Sequence, residues 1–248
     1  MKKVLLSLIS IAGIASAEIL PAFDIDVSVG YIMQGISGKA SYQGGDIDLK
    51  NQLNLKNSNN ITAKIKFEHP VPILPNIYFQ YTPATFKGTA DINNVLQWGG
   101  TNFSGTIESS LTINRTDVGI YWGLPVPVVD IELGLIGRIM DFKGSVTGTV
   151  GSLQRTETAK FNLTIPMIYL GAGGFFPGLP VGIFGDFKII TYGGNTYTDL
   201  TAELKGKFMF LYGSLGYKYE SLRIDIESEN VSSDVTVSGP FLKVGMFF

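Results

Sequence analysis

The 248-residue chain holds one histidine and no cysteine, which removes most side-chain sets capable of catalysis or metal binding. His69 follows Glu68 and precedes Pro70. A Ser–His–acid unit needs its imidazole beside a nucleophile, and no serine is near His69 in the sequence, so it reads as a turn histidine. The pairs Asp24/Asp26 and Asp46/Asp48 are the remaining acid candidates. Asp46 and Asp48 lie in a glycine-flanked polar stretch, which offers a calcium ion a weak site, but solvated loop carboxylates fit better. There is no His/Cys set with metal-ligand spacing, no P-loop and no G-x-G-x-x-G after a strand. These residues imply a non-enzyme with no cofactor and no metal.

The other charges follow a pattern of their own. Lys64, Lys66, Glu132, Arg138, Asp186, Lys188, Glu203, Lys205 and Lys243 alternate with apolar residues along extended-looking segments. Strand side chains point to opposite faces in turn, so each segment has one oily face and one face carrying charges of both signs. A closed barrel with its oily face toward lipid would gather these charges in the lumen. A barrel of about eight strands is filled by side chains, whereas open channels need about sixteen. Mixed charges in a lumen of intermediate size would pair and plug it. The alternative is a narrow path for ions or small solutes lined by the same residues.

Period-two alternation positions them. It recurs in about ten segments, from Ile25–Met33 to the terminal Gly239–Phe248. On this reading Leu133, Leu163 and Leu204 face lipid, while Thr164 and Glu203 face the lumen. Pro83 marks a bulge, and the ninth segment slips register between Tyr219 and Leu222. The connections alternate between two kinds. Short, mostly proline-rich ones fall at 70–75, 124–127, 176–180 and near Tyr212-Gly213; polar ones fall at Gly38–Asn60, Lys87–Ser109, Gly144–Glu157, Gly193–Tyr197 and Ser228–Asp234. Outer-membrane barrels have short periplasmic turns and longer outer loops. The expected fold is therefore all-β: a closed antiparallel transmembrane β-barrel of about ten strands, with eight or twelve as alternatives.

Composition agrees. Only 16% of residues are charged and 45% are hydrophobic, with 30 glycines and 16 phenylalanines; an average globular chain is about 25% charged. Met1-Lys2-Lys3, an apolar run and Ala15-Ser16-Ala17 form an export signal cleaved after Ala17, leaving 18–248 as a single barrel domain. Removing Lys2 and Lys3 from 19 basic residues leaves 17 against 21 acidic ones, a net of −4, which argues against nucleic acid. The apolar segment Phe161–Gly185 contains Pro166, Pro177 and Pro180, which disfavour a membrane helix.

Glu68–Asn76 (E-H-P-V-P-I-L-P-N), Arg115–Trp122 (R-T-D-V-G-I-Y-W), Gly216–Tyr219 (G-Y-K-Y), Gly239–Phe248 (G-P-F-L-K-V-G-M-F-F) and the D-I-D-L after Gly45 resemble a family of small bacterial outer-membrane β-barrel proteins. The resemblance covers nearly all of the chain after residue 17. It implies the fold and an outer-membrane location, with lipid as surroundings, and no activity. Leu242, Val244, Met246 and Phe248 share the oily face of the last segment, which resembles the signal that hands bacterial barrels to their assembly machinery. The expected role of this monomer is structural or surface interaction through polar outer loops. A narrow channel is the alternative, and a lipid-modifying enzyme a distant third.

Overall fold

The structure, a computed structural model, describes residues 23–71, 73–124, 126, 129–226 and 231–248; the expected export signal lies outside them. The strands are β1 (Asp24–Tyr42), β2 (Ile47–Asp48), β3 (Ser58–Glu68), β4 (Asn76–Trp98), β5 (Thr101–Leu124), β6 (Asp130–Val150), β7 (Leu153–Phe175), β8 (Val181–Tyr192), β9 (Asn195–Phe208), β10 (Leu211–Ile226) and β11 (Val231–Phe247). β2 pairs only with β1, through Lys39↔Asp48 and Ala40↔Ile47. The other ten form an antiparallel ring, which β11 closes on β1 from Asp26↔Phe247 to Tyr42↔Val231. This is the closed transmembrane barrel the alternation predicts. Closure leaves no edge within the bilayer, where unpaired backbone groups are costly.

The wall is uneven. β3 and β8, with 11 and 12 residues, suit one crossing, since about ten residues of tilted strand span a bilayer. β4, β5, β6 and β7 have 23, 24, 21 and 23 residues. β4 pairs with β3 only up to Ala63↔Tyr81, and β7 with β8 only up to Ile168↔Ile189. Beyond those points β4–β7 continue as a four-stranded sheet standing above the rest of the ring. Most of Lys87–Ser109 and Gly144–Glu157, expected as polar loops, is therefore strand. Their many threonines are polar, yet β-branched and at home on a pleated surface. β4 turns into β5 at Gly99-Gly100, with φ of 59° and 72°. Such positive values suit a two-residue hairpin turn and favour glycine.

Four smaller expectations also change. The fourth short turn is at Met209-Phe210, because Tyr212 already belongs to β10. β4 passes Pro83 in register with Asn114, and the irregularity lies between Ile92 and Leu96. Pro83 stands just past the last β3–β4 pair, where one flank of the strand has no ladder to break. β10 keeps continuous register with both neighbours from Tyr219 through Leu222. On β7 the faces are reversed: Met167 and Tyr169 are buried inside, Leu163 shares their inward face, and Thr164 points outward. Leu133 and Leu204 are exposed on the outer wall, and Glu203 is buried within.

The β1–β3 connection turns inward. Ile47, Leu49, Leu53 and Leu55 are buried. The connection hangs on the free flank of β4: Lys56 N donates to Lys87 O at 2.9 Å, and Asn54 Nδ2 donates to Thr89 O at 2.9 Å. At Gly88 a side chain would collide with the Leu53 and Asn54 backbone.

Candidate functional site in the barrel interior

The inward residues of β5 run Phe103, Ile107, Leu111 and Ile113, then Arg115 and Asp117. The strand keeps one face inward, yet that face changes from apolar to charged at one level. Three tiers result.

The outer tier is dry. Phe86, Leu96, Trp98, Phe103, Ile107 and Met140 pack with the four apolar residues of the β1–β3 connection. Tyr42 lies against Trp98 and Phe161, with ring centroids 5.5 and 5.7 Å apart. The Asp48 carboxylate accepts the backbone N–H of Asn51 at 2.8 Å and of Lys50 at 3.0 Å. These bonds, the Asn51 one foremost, hold its pKa below the usual aspartate value. Asp46 is exposed beside it.

The middle tier is a buried ion-pair layer. Arg138 donates from Nε to Asp117 Oδ1 and from Nη2 to Asp117 Oδ2, both at 2.7 Å, and also pairs with Asp199. Lys188 Nζ reaches Asp117 Oδ2 at 2.7 Å and Gln80 Oε1 at 2.8 Å. Lys218 Nζ lies 2.5 Å from Asp199 Oδ1 and 3.1 Å from Glu220 Oε1. Arg115 pairs with Glu220, and its Nη2 donates to Gln34 at 2.7 Å. Arg115, Arg138 and Lys188 are each 1% exposed, so this layer excludes solvent. Charges this deep persist because each is paired; removing one partner of such a pair strands the other at high cost.

Beneath it Tyr78, Tyr121 and Tyr169 pack together with Ile136. The Tyr169 hydroxyl donates to Glu132 at 2.5 Å and lies 3.0 Å from the Asp186 carboxylate.

The inner tier opens at the short-turn end as a cavity of about 530 Å³. Lys64–Asp186 and Lys66–Glu132 are paired at 2.5 Å, and Lys243–Glu203 at 2.6 Å. Lys205 stands among three aromatic rings and lacks a short contact to any carboxylate. The nine charges singled out in the sequence thus divide between tiers: Arg138 and Lys188 sit in the middle layer and the other seven line the inner cavity. Arg115 and Glu220, not among those nine, were readable as inward: Arg115 alternates with Asp117, and Glu220 with Lys218.

His69 is in the β3–β4 turn. Its Nδ1 accepts the Val71 N–H at 3.2 Å and its Nε2 lies 3.2 Å from Pro75 O. Asp26 accepts the Tyr212 hydroxyl at 2.5 Å, and Asp24 is exposed at the cavity mouth. Among the described residues no three His, Asp or Glu side chains are grouped to hold a metal ion. At the C-terminal end Leu242 and Val244 are exposed on the outer wall, Met246 shares their face, and Phe248 N donates to Ile25 O at 3.0 Å.

The fold has solved relatives. The outer membrane protease OmpT from Escherichia coli superposes with a TM-score of 0.53 at 13% identity, over 92% of this chain and 96% of that one. The translocator domain of autotransporter NalP from Neisseria meningitidis gives 0.47 at 10% identity, over 99% and 95% of the two chains. Ail of Yersinia pestis gives 0.38 at 11% identity, over 92% and 99%. At these identities the likeness concerns the fold alone. No family model and no curated protein matches the sequence.

Proposed function

We propose that this chain is an integral bacterial outer-membrane protein whose role is structural or surface interaction, working as a monomer with a lumen that does not conduct. The observation that carries this reading is the closed interior: an apolar plug held down by the β1–β3 connection lies directly over a solvent-excluding layer of buried ion pairs. A narrow channel would need a continuous wetted path, and both tiers oppose it. Outside, β4–β7 raise a sheet whose outward residues are polar: Thr112 and Asn114 on β5, Lys143 and Ser145 on β6, and Thr158 and Lys160 on β7. Such a surface, set beyond the bilayer, suits contact with other molecules. A lipid-modifying enzyme has less support, since His69 is engaged by backbone at the opposite, short-turn end. Assembly through the barrel machinery, with Leu242, Val244, Met246 and Phe248 as its signal, belongs to the same reading.

The test is single-channel recording on the purified barrel in planar bilayers. We expect a closed baseline, and the same baseline after deletion of the outer connection 46–55, because the ion-pair layer remains. Steady ohmic conductance of the unaltered protein would replace this reading with the channel. Grafting the β4–β5 and β6–β7 tips onto an inert barrel should transfer any cell-surface binding.

A further inference from the structure

Besides Lys207 and Asp130, which line its rim exposed and without an ion pair among the described residues, the inner cavity contains two complementary electrostatic gaps. The first is Lys205. It is 6% exposed, and its Nζ has no hydrogen-bond acceptor among the described residues. The nearest carboxylate oxygens are Asp26 Oδ2 at 3.7 Å and Glu203 Oε1 at 4.0 Å. Both acids are engaged elsewhere: Asp26 by the Tyr212 hydroxyl at 2.5 Å, Glu203 by Lys243 at 2.6 Å and Ser214 at 2.9 Å. What surrounds the ammonium is aromatic: Tyr212, Phe184 and Phe247 have ring centroids 4.3, 4.4 and 5.3 Å away. Ring faces stabilise a cation but accept no N–H hydrogen bond, so the donors of this ammonium are left to whatever enters the cavity it lines.

The second gap is at the mouth. Asp24, the first residue of β1, is the direct cross-strand partner of Glu68, the last residue of β3. Like charges directly opposite one another repel. Among the described residues no Lys, Arg or His nitrogen lies within 4.0 Å of either carboxylate; Glu68 accepts only the Tyr121 hydroxyl, at 2.7 Å. Asp24, Glu68 and Lys205 all line the same cavity. Lys205 lies several residues up β9 from the Met209 turn, whereas Asp24 and Glu68 stand at strand ends. The cavity therefore offers an unfilled cation inside and an unfilled pair of anions at its mouth.

We propose that this cavity binds a small zwitterion from the periplasm, specifically a short peptide with free termini. Its carboxylate accepts from Lys205 Nζ, and its terminal ammonium sits between Asp24 and Glu68. A ligand of either single sign fills one gap and meets like charge at the other. The volume falls in the range of about 300–1,000 Å³ usual for small-molecule sites. The closed tiers above make it a blind pocket, so binding here is retention rather than passage.

The experiment is calorimetric titration of the purified barrel with three probes: Ala-Ala-Ala, its N-acetyl derivative and its C-terminal amide. The free tripeptide should bind saturably, and blocking either terminus should weaken it about tenfold or more, the scale of one charge-assisted hydrogen bond. Lys205→Gln should abolish discrimination against the amide, and Asp24→Asn should reduce discrimination against the acetylated peptide. Heat-modifiable migration reports whether each variant is folded; if Lys205→Gln does not fold, the three probes on the unaltered protein decide the matter alone. No saturable binding of the free tripeptide, equal affinity for all three probes, or undiminished binding by folded Lys205→Gln would overturn the proposal.

Discussion

The two halves of this barrel are inside-out with respect to each other. In the half that crosses the membrane, Val118, Ile120 and Leu133 face outward and Arg138, Asp117 and Asp199 face inward. In the half that stands above it, Phe103, Ile107 and Met140 face inward while Thr112, Asn114 and Lys143 face outward. No strand rotates between the halves. β5 keeps its pleat through both, and only the chemistry of its two faces exchanges, between Ile113 and Arg115 within and between Thr116 and Val118 without. The exchange follows the solvent. Against lipid, apolar residues belong outside and charges must find each other within; against water, burial of apolar side chains drives the opposite arrangement.

Substitutions can break this contrast in order of severity. The largest effect is expected at the middle tier, where Asp199→Ala strands Arg138 and Lys218. Loss of one member of a buried pair costs about 3–5 kcal/mol. Chemical unfolding in detergent should register that loss, and an effect below about 1 kcal/mol, the range of surface pairs, would mean that the layer is hydrated. Phe103→Ala, in the apolar plug, should cost about 3–5 kcal/mol through cavity formation, with little change in barrel insertion. Ordinary insertion with wild-type unfolding would mean that the outer tier is not a packed core.

An arginine series sharpens the boundary. Leu133→Arg and Leu204→Arg on the lipid face should cost about 2–4 kcal/mol near midplane. Leu163→Arg should be at least as harmful, although for a different reason, since it drives a charge toward the dry tier. Thr164→Arg, on the outward face of β7, should stay within about 0.5 kcal/mol. If Thr164→Arg were costly and Leu163→Arg mild, β7 would have to be turned over.

The smallest effect concerns the outer connection. Asp48 has a depressed folded pKa, so its contribution is present above the unfolded value of about 3.9 and is lost as pH falls below it. Protease nicking within 43–57 should rise on acidification through that range, and Asp48→Asn should show the raised level already at neutral pH. Identical nicking at all pH values would mean that the Asp48 carboxylate does not help to order the connection.

Much of this is legible in the sequence. Alternation points to about ten strands, and ten close the ring. The expected outward faces of Leu133 and Leu204 hold because those residues lie wholly in the membrane half. Alternation cannot say which solvent a face meets, and on β7 it therefore points the oily row at lipid instead of at the dry tier. Phe161, Leu163, Ile165 and Met167 form an oily row, but it belongs to the dry tier, and the lipid-facing row begins at Ile168 and Leu170. The apparent slip on β10 has the same origin: outward Tyr219 and inward Leu222 are both apolar because the faces exchange between them. The plug left a trace in Ile47, Leu49, Leu53 and Leu55, too apolar a set for a solvated loop.

The exchange of faces is tested most directly by a nitroxide scan along β7 from Lys160 to Leu170, measuring collision rates with oxygen, which concentrates in lipid, and with a water-soluble nickel chelate. Labels at 160, 162 and 164 should be accessible to nickel, those at 168 and 170 to oxygen, and those at 161, 163, 165 and 167 to neither. Oxygen accessibility at 161, 163 and 165 would contradict the account, placing that row against lipid and leaving the barrel with one solvent pattern from end to end.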